Sequence, residues 1–357
     1  MNAQTIDLCL VRRAAIGVRR LCVALAVLAP PAVTYAEDAP VAGVGDLTFA
    51  VADIERAIQH YEKSLGFELL AARPQVVDGE LGANEYDALL QALMDVGGAY
   101  YRVAWFSVPG SQLRLRLVEI INNQQVFGLR GVRQTSASYT DGGGIAMRLA
   151  VPDLATLKNE IDRTYTGDIL TTGDAPITAG PARLTVRDDE GVVMELVEPS
   201  APTAGGTDLA IGTSVVLTAA NAKEKLKFYQ DLGFEFATGD WEASADVLAA
   251  VGATGGRVRW HTAQMPGVDV SLMIAEFQGT KQRRFFPPTM GQSGAGWLQF
   301  IVRDLEAVVE ELRAKRVLIV STGLQPVQFE DSRRIVVRDP DGLFVELVER
   351  EPEEGSE

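Results

Sequence analysis

Few residues in this chain could carry chemistry. Glu195 and Glu346 occupy the same point in two near-copies of one phrase, VRDDEGVVMELVE (186–198) and VRDPDGLFVELVE (337–349). A glutamate among apolar neighbours has a raised pKa and could move a proton as a general base. Arg114, Arg116 and Arg148 offer planar forks of donors, suited to a carboxylate or a developing oxyanion. Only two histidines are present. His60 falls off the apolar face of its helix and reads as a solvated surface residue. His261 matches Phe106 in an earlier copy of its segment and reads as structural. No Ser-His-Asp set, nucleotide-binding glycine loop or zinc motif appears.

The elements that must hold these residues repeat along the chain. Leu47, Phe49 and Val51 alternate as a strand, Ala52-Asp53 turns, and Ile54, Ala57, Ile58, Tyr61 and Leu65 line one face of a helix that Gly66 stops. The spacing predicts a helix over 84–96 and strands over 101–108 and 113–120. A second opening follows, with a strand over 145–151 and a helix over 154–164. Its closing strands are 182–187 and 192–197. Pro199 to Thr207 (PSAPTAGGT) reads as a linker. Beyond it the pattern restarts. Strand 214–219, helix 222–232 and strand 233–236 come first, then helix 243–251 and strands 257–263 and 268–275. The last unit has strand 297–302, helix 305–315 and strands 333–338 and 343–348. The run Arg283-Arg284-Phe285-Phe286 reads as a lid or a surface loop.

This is a four-fold repeat of βαβββ units of two alternating kinds. Odd units share Tyr61 with Leu65-Gly66-Phe67-Glu68, against Tyr229 with Leu232-Gly233-Phe234-Glu235. They also share Arg102-Val103-Ala104-Trp105, against Arg257-Val258-Arg259-Trp260. Even units share Val-x-Asp-Leu (151–154 and 302–305) and the closing phrase above. These signatures resemble the vicinal oxygen chelate superfamily, which includes glyoxalase I, extradiol dioxygenases, methylmalonyl-CoA epimerase and the fosfomycin- and bleomycin-resistance proteins. The resemblance covers most of residues 44–350. It implies an α+β fold in which βαβββ modules pair, their cupped mixed sheets enclosing a cavity. Modules 44–120 and 144–198 would form a first domain (37–198), and modules 211–276 and 296–350 a second (209–350), with 199–208 between them.

Strand alternation sends Asp46, Thr48 and Ala50 into the cup. In metal-dependent members of the superfamily, a His on each first strand and a Glu on each fourth strand bind the metal. The His positions here are Asp46, Ala146, Ser214 and Trp297. The fourth-strand positions are Arg116, Glu195, Met273 and Glu346. The first domain would hold Asp46, Arg116, Ala146 and Glu195, joined by Arg114 and Arg148, as an ion cluster or as a site for an anion. The second would hold Ser214, Met273, Trp297, Gln299, Phe344 and Glu346, as an apolar ligand pocket or a filled core. Neither set offers three good ligands, so no cofactor is expected.

Net charge is −15, which argues against a nucleic-acid partner. Residues 1–36 carry Arg12, Arg13, Arg19 and Arg20 before a short apolar run, then Pro30-Pro31 and Thr34-Tyr35-Ala36. Too short to span a bilayer, the run reads as a signal peptide cleaved near Ala36, which implies a periplasmic or secreted protein with no membrane contact after processing. Cys9 and Cys22, the two cysteines, would leave with it, excluding thiol chemistry and disulfides. An acidic tail, 351–357, ends the chain. The expected function is metal-independent binding of a small, partly apolar molecule in a cup. Two alternatives stand beside it: a lyase or isomerase using Glu346 or Glu195 as base, and a scaffold that binds protein partners.

Overall fold

A computed structural model describes residues 39–350 apart from 75, 78–79, 82–84, 123–138, 152, 165–166, 172–181, 199–212, 244, 281 and 283–288. The signal peptide, the linker, the Arg283–Phe286 run and the acidic tail expected from the sequence lie outside the described residues.

The repeated openings form because the same local chemistry recurs. Asp53, Asn221 and Asp304 are helix N-caps, their side chains accepting from the N–H groups of Arg56, Glu224 and Ala307. Unit one comprises β1 (Val41–Val51), α1 (Ile54–Lys63), β2 (Glu68–Arg73), the short strands β3 (Val76–Val77), β4 (Glu80–Leu81) and β5 (Glu85–Tyr86), α2 (Ala88–Met94), β6 (Ala99–Ser107) and β7 (Arg114–Asn122). Unit two comprises β8 (Ile145–Ala150), α3 (Leu154–Thr164), β9 (Asp168–Ile169), β10 (Arg183–Arg187) and β11 (Val193–Val197). Unit three comprises β12 (Ser214–Ala219), α4 (Ala222–Asp231), β13 (Ala237–Thr238), α5 (Ala245–Ala250), β14 (Arg257–Gln264) and β15 (Ser271–Gln278). Unit four comprises β16 (Gly296–Val302), α6 (Leu305–Ala314), β17 (Val327–Gln328), β18 (Ser332–Arg338) and β19 (Phe344–Arg350).

Most expected elements fall where periodicity places them. The helix expected over 84–96 is shorter, because Asp87 caps α2 by accepting from Leu89 and Leu90, and Asp95 ends it in the left-handed region. The strand expected over 233–236 is displaced to β13.

Two large mixed sheets result. The first runs β17-β18-β19-β16-β1-β7-β6-β2, with β5 also paired to β6. The second runs β13-β14-β15-β12-β8-β11-β10-β9. Each is two half-sheets joined by antiparallel first strands: β1 against β16, with Thr48 opposite Trp297, and β8 against β12, with Met147 opposite Val215. Units one and four therefore share one sheet, and units two and three the other. This differs from the expected pairing of one with two and three with four. Charge provides a physical reason. The observed pairing sets Arg116 beside Glu346 and Arg148 beside Glu195, one close guanidinium for each of these two buried carboxylates. The expected pairing would place both arginines with Asp46 and Glu195 and leave Glu346 without its nearest cation.

The helix-bearing faces of both sheets contribute to one core that includes Leu47, Phe49, Met147, Leu217 and Phe300. The opposite faces form separate apolar clusters, one within each cup.

Candidate functional site

The floor of the first cup is built on Arg116 of β7. Parallel pairing of β1 and β7 sets Thr48 level with Arg116, and pairing of β16 with β19 sets Gln299 level with Glu346. Arg116 Nε donates to Thr48 Oγ1 at 2.9 Å, and its terminal NH2 donates to Glu346 Oε2 at 2.5 Å. Asp46 Oδ2 lies 3.9 Å from Arg116 Nε. Glu346 also accepts from Trp297 Nε1 at 3.1 Å and Gln299 Nε2 at 2.9 Å, and Arg334 lies 3.8 Å away. Asp46 accepts from Trp105 Nε1 at 3.1 Å and Arg114 Nε at 2.9 Å. Its backbone N–H donates to the Gln299 side-chain oxygen.

Burial alone would push Glu346 up, but Arg116 and Arg334, with hydrogen bonds from Gln299 and Arg116, hold its carboxyl below the usual range. The raised pKa expected from its sequence neighbours is thus reversed. Burial likewise opposes the Arg116 charge, yet Glu346 and Asp46 outweigh it and hold the guanidinium above its ordinary value.

Above this floor lies a cavity of about 150 Å³. Val103, Trp105, Arg116 and Val118 come from the sheet of unit one, Phe329 and Arg334 from unit four, and Leu90 and Met94 from α2. Helix α2 is latched across the cup: Ser321 Oγ donates to Leu93 O at 2.9 Å, and Thr322 Oγ1 to Asp95 Oδ1 at 2.9 Å. Arg73 and Glu85, 2.9 Å apart, also line the cavity, as does Asp87. Arg334 stacks on the Phe329 ring at 4.3 Å and pairs with Asp331. Tyr101 lines the cavity too. Its hydroxyl is buried and has no hydrogen-bond partner among the described residues, and burial pushes its pKa up.

The second cup has a similar plan. Arg148 Nε donates to Glu195 Oε2 at 2.9 Å, its terminal NH1 meets Met273 Sδ at 2.9 Å, and its guanidinium lies over Trp260 at 4.8 Å. Arg183 lies 3.5 Å from Glu195, and Tyr139 donates to the same carboxylate at 3.4 Å. Burial, then the Glu195 charge, pushes Tyr139 well up. Helix α5 plugs this cup with Leu248, and Thr185 Oγ1 holds its end through Ala250 O at 2.6 Å.

The sequence-derived candidates are therefore regrouped. Asp46, Arg114, Arg116, Trp297, Gln299, Phe344 and Glu346 share the first cup. Arg148, Glu195, Ser214 and Met273 share the second. Trp297 and Phe344 are fully buried core beneath the cavity rather than its lining. His261 bonds Thr238 and Glu276 on the helix-bearing face, away from the cup. His60 is partly buried rather than solvated, in a small cavity beside Asp188.

The metal positions of the superfamily become Asp46, Arg116, Trp297 and Glu346 in one cup, and Ala146, Glu195, Ser214 and Met273 in the other. These sets do not fit a divalent metal. The first has two carboxylates with a guanidinium between them, and the second has one. Among the described residues no group of three His, Cys, Asp or Glu side chains could hold a metal. Sequence reading missed Arg334, Tyr101, Trp105 and Phe329. Arg334 carried a signal: it precedes Glu346 by the same spacing as Arg183 precedes Glu195.

Residues 213–347 match the family model described as the Glyoxalase/Bleomycin resistance protein/Dioxygenase superfamily. The fold is similar to glyoxalase I from Zea mays, with a TM-score of 0.51 and 18% identity over 86% of this chain and 92% of that one. A mutant form of the same maize enzyme gives 0.52 and 18%, with the same coverage. A putative dioxygenase from Bacillus subtilis gives 0.49 and 12%, covering 88% of this chain and 87% of that one. No curated protein sequence matches the chain.

Proposed function

The chain carries the vicinal oxygen chelate fold in both of its sheets, and from that premise we propose that it binds a small, largely apolar molecule in the first cup without a metal. One observation carries this reading: a cavity of about 150 Å³ lies over a guanidinium that Glu346 and Asp46 already neutralise. A cavity of this size in a protein interior accepts a molecule about as large as benzene. Leu90, Met94, Val103, Trp105, Val118 and Phe329 give it apolar walls, with polar groups at the edge, the usual composition of a small-molecule site. Residues 1–36 read as an export signal, so the ligand would be met outside the cytoplasm.

A lyase or isomerase would need a free base in the cup. Glu346 lies under Arg116 and takes donors from three side chains, and Glu195 Oε2 accepts from Arg148 and Tyr139. Binding without turnover suits that arrangement better.

Calorimetric titration with single-ring compounds tests the reading. Saturable binding that disappears in Val118→Phe, a variant whose added ring fills the cavity, is the expected result. Absence of binding by every single-ring compound, or binding indifferent to Val118→Phe, would remove the first cup as the site.

A further inference from the structure

The cavity walls restrict the chemistry of what they can hold. Every charged group at the lining has a counter-charge or a fixed donor within the protein. Arg116 is matched by Glu346 and Asp46, Arg73 by Glu85, and Arg334 by Asp331 with Glu346 nearby. Asp87 is occupied at the helix end, where its Oδ1 accepts two backbone N–H groups of α2. An anion would have to displace a buried carboxylate from Arg116, or compete with Asp331 for Arg334, and would gain little net attraction. A cation would have to draw Glu85, Asp331 or Glu346 away from those arginines, or Asp87 from the helix end.

One lining group lacks a partner. Tyr101 is 2% exposed, and its hydroxyl has no hydrogen-bond partner among the described residues. It stands close enough to Asp87, also at the lining, to feel that carboxylate's charge. A phenol in a low-dielectric site is a donor, and a buried donor without an acceptor is a standing cost to the free protein. Its environment disfavours the phenolate, so the proton stays on the oxygen and is available to donate.

Resting on the reading of this cavity as a binding site, we infer that its ligand is an uncharged single-ring compound carrying a hydrogen-bond acceptor, such as a carbonyl or ether oxygen, which takes the Tyr101 hydroxyl proton. The apolar walls take the ring, and the arginines remain in their internal pairs.

Three probes of nearly equal size separate the possibilities: acetophenone, which has an acceptor; ethylbenzene, which has none; and benzoate, which is charged. Affinities for the wild-type protein and for Tyr101→Phe are compared by calorimetry or by thermal shift. The expected result is a loss of about tenfold for acetophenone in Tyr101→Phe, the size of one neutral hydrogen bond, with ethylbenzene unchanged within about twofold. Tyr101→Phe without ligand should unfold at the same temperature as wild type or higher, because it removes an unpartnered buried hydroxyl. If both neutral probes bind and the substitution affects them equally or not at all, the role of Tyr101 is overturned while the cavity stands as a site. If benzoate binds tighter than acetophenone, the assignment of an uncharged ligand is overturned. If no probe binds either protein, the reading of the cavity as a site falls, and this inference falls with it.

Discussion

Lys225 Nζ lies 2.9 Å from Asp339 Oδ2 and 3.3 Å from Asp341 Oδ2, with all three side chains fully buried. Lys225 projects from α4 of unit three, and the two aspartates occupy the turn between β18 and β19 of unit four. The contact fastens one sheet to the other, since these units belong to different sheets. Lys225 also donates to Thr218 O, and Tyr229 donates to Asp339. Lys225→Met should therefore cost about 3–5 kcal/mol in urea unfolding, because it strands two carboxylates inside the protein. Adding Asp341→Asn should recover part of that loss. A cost below about 1 kcal/mol would show that the pair is not what fastens the sheets.

The sister contact, between α1 and the turn after β10, lacks the lysine. Ala57 stands at the position of Lys225, and Asp188 and Glu190 at those of Asp339 and Asp341. Tyr61 donates to Asp188 at 3.1 Å as Tyr229 does to Asp339, while Arg56 pairs with Glu190. A cavity of about 40 Å³ remains beside Ala57, also lined by His60 and Asp189. Burial, only partly offset by hydrogen bonds from Val192 N–H and Tyr61, pushes Asp188 up to about 7. An unfolded aspartate titrates near 3.9, so the native state binds the extra proton between about pH 4 and pH 7. That contribution, of order 4 kcal/mol, is present below pH 4 and is lost as pH rises through 7. His60, whose pKa burial lowers, acts in the opposite direction at acid pH, so the difference between two proteins is the clean measurement. Asp188→Asn should be more stable than wild type at pH 8, with the gap closing by pH 4. Ala57→Lys should also gain stability at pH 8 by supplying the missing counter-charge. Equal pH profiles for wild type and Asp188→Asn would show that Asp188 does not titrate in this range.

Local chemistry made much of the fold legible. The turn residues Asp53, Asn221 and Asp304 were readable as the start of helices, and the repeated phrases located four units. Which units pair was not legible, because each presents an equivalent first strand to any partner. The decision depends on side chains that meet only after pairing, such as Arg116 with Glu346. The candidate site suffered the same limit. Asp46, Arg116, Trp297 and Glu346 were each identifiable by position, but they were divided between two cups. The lid and walls escaped for another reason. Leu90, Met94 and Phe329 come from a short helix and an edge loop, whose orientation has no periodic signature long enough to read.

The Arg116–Glu346 pair separates a structural ion cluster from a metal site. Arg116→Leu leaves Glu346 and Asp46 buried without their shared cation and should cost about 3–5 kcal/mol. The double variant Arg116→Leu, Glu346→Gln should be more stable than the single one, because the stranded charge is gone. Dialysis against EDTA should leave the unfolding temperature of the wild type unchanged, and manganese, zinc or nickel should not raise it. A reversible loss of several degrees on chelation would mean that a metal does occupy this region, and the metal-independent reading would fail.

Crossed pairing makes the two halves of the chain interdependent. Residues 37–198 alone would contain β1 and β8 with their joining edges bare, since β16 and β12 both lie in the second half. Each exposed edge would be a row of unsatisfied backbone groups beside apolar residues such as Leu47 and Met147. Residues 209–350 would have the complementary defect. Each half expressed separately should aggregate or remain expanded, and the two expressed together should assemble into a one-to-one complex with native-like circular dichroism. In the alternative, with each half forming its own complete sheet, both fragments would fold as soluble monomers and show no need of one another. Sedimentation of the separate and mixed fragments distinguishes the two arrangements. Two independently folded monomers would overturn the pairing of unit one with unit four, and with it the meeting of Arg116 and Glu346 on which the floor of the cavity depends.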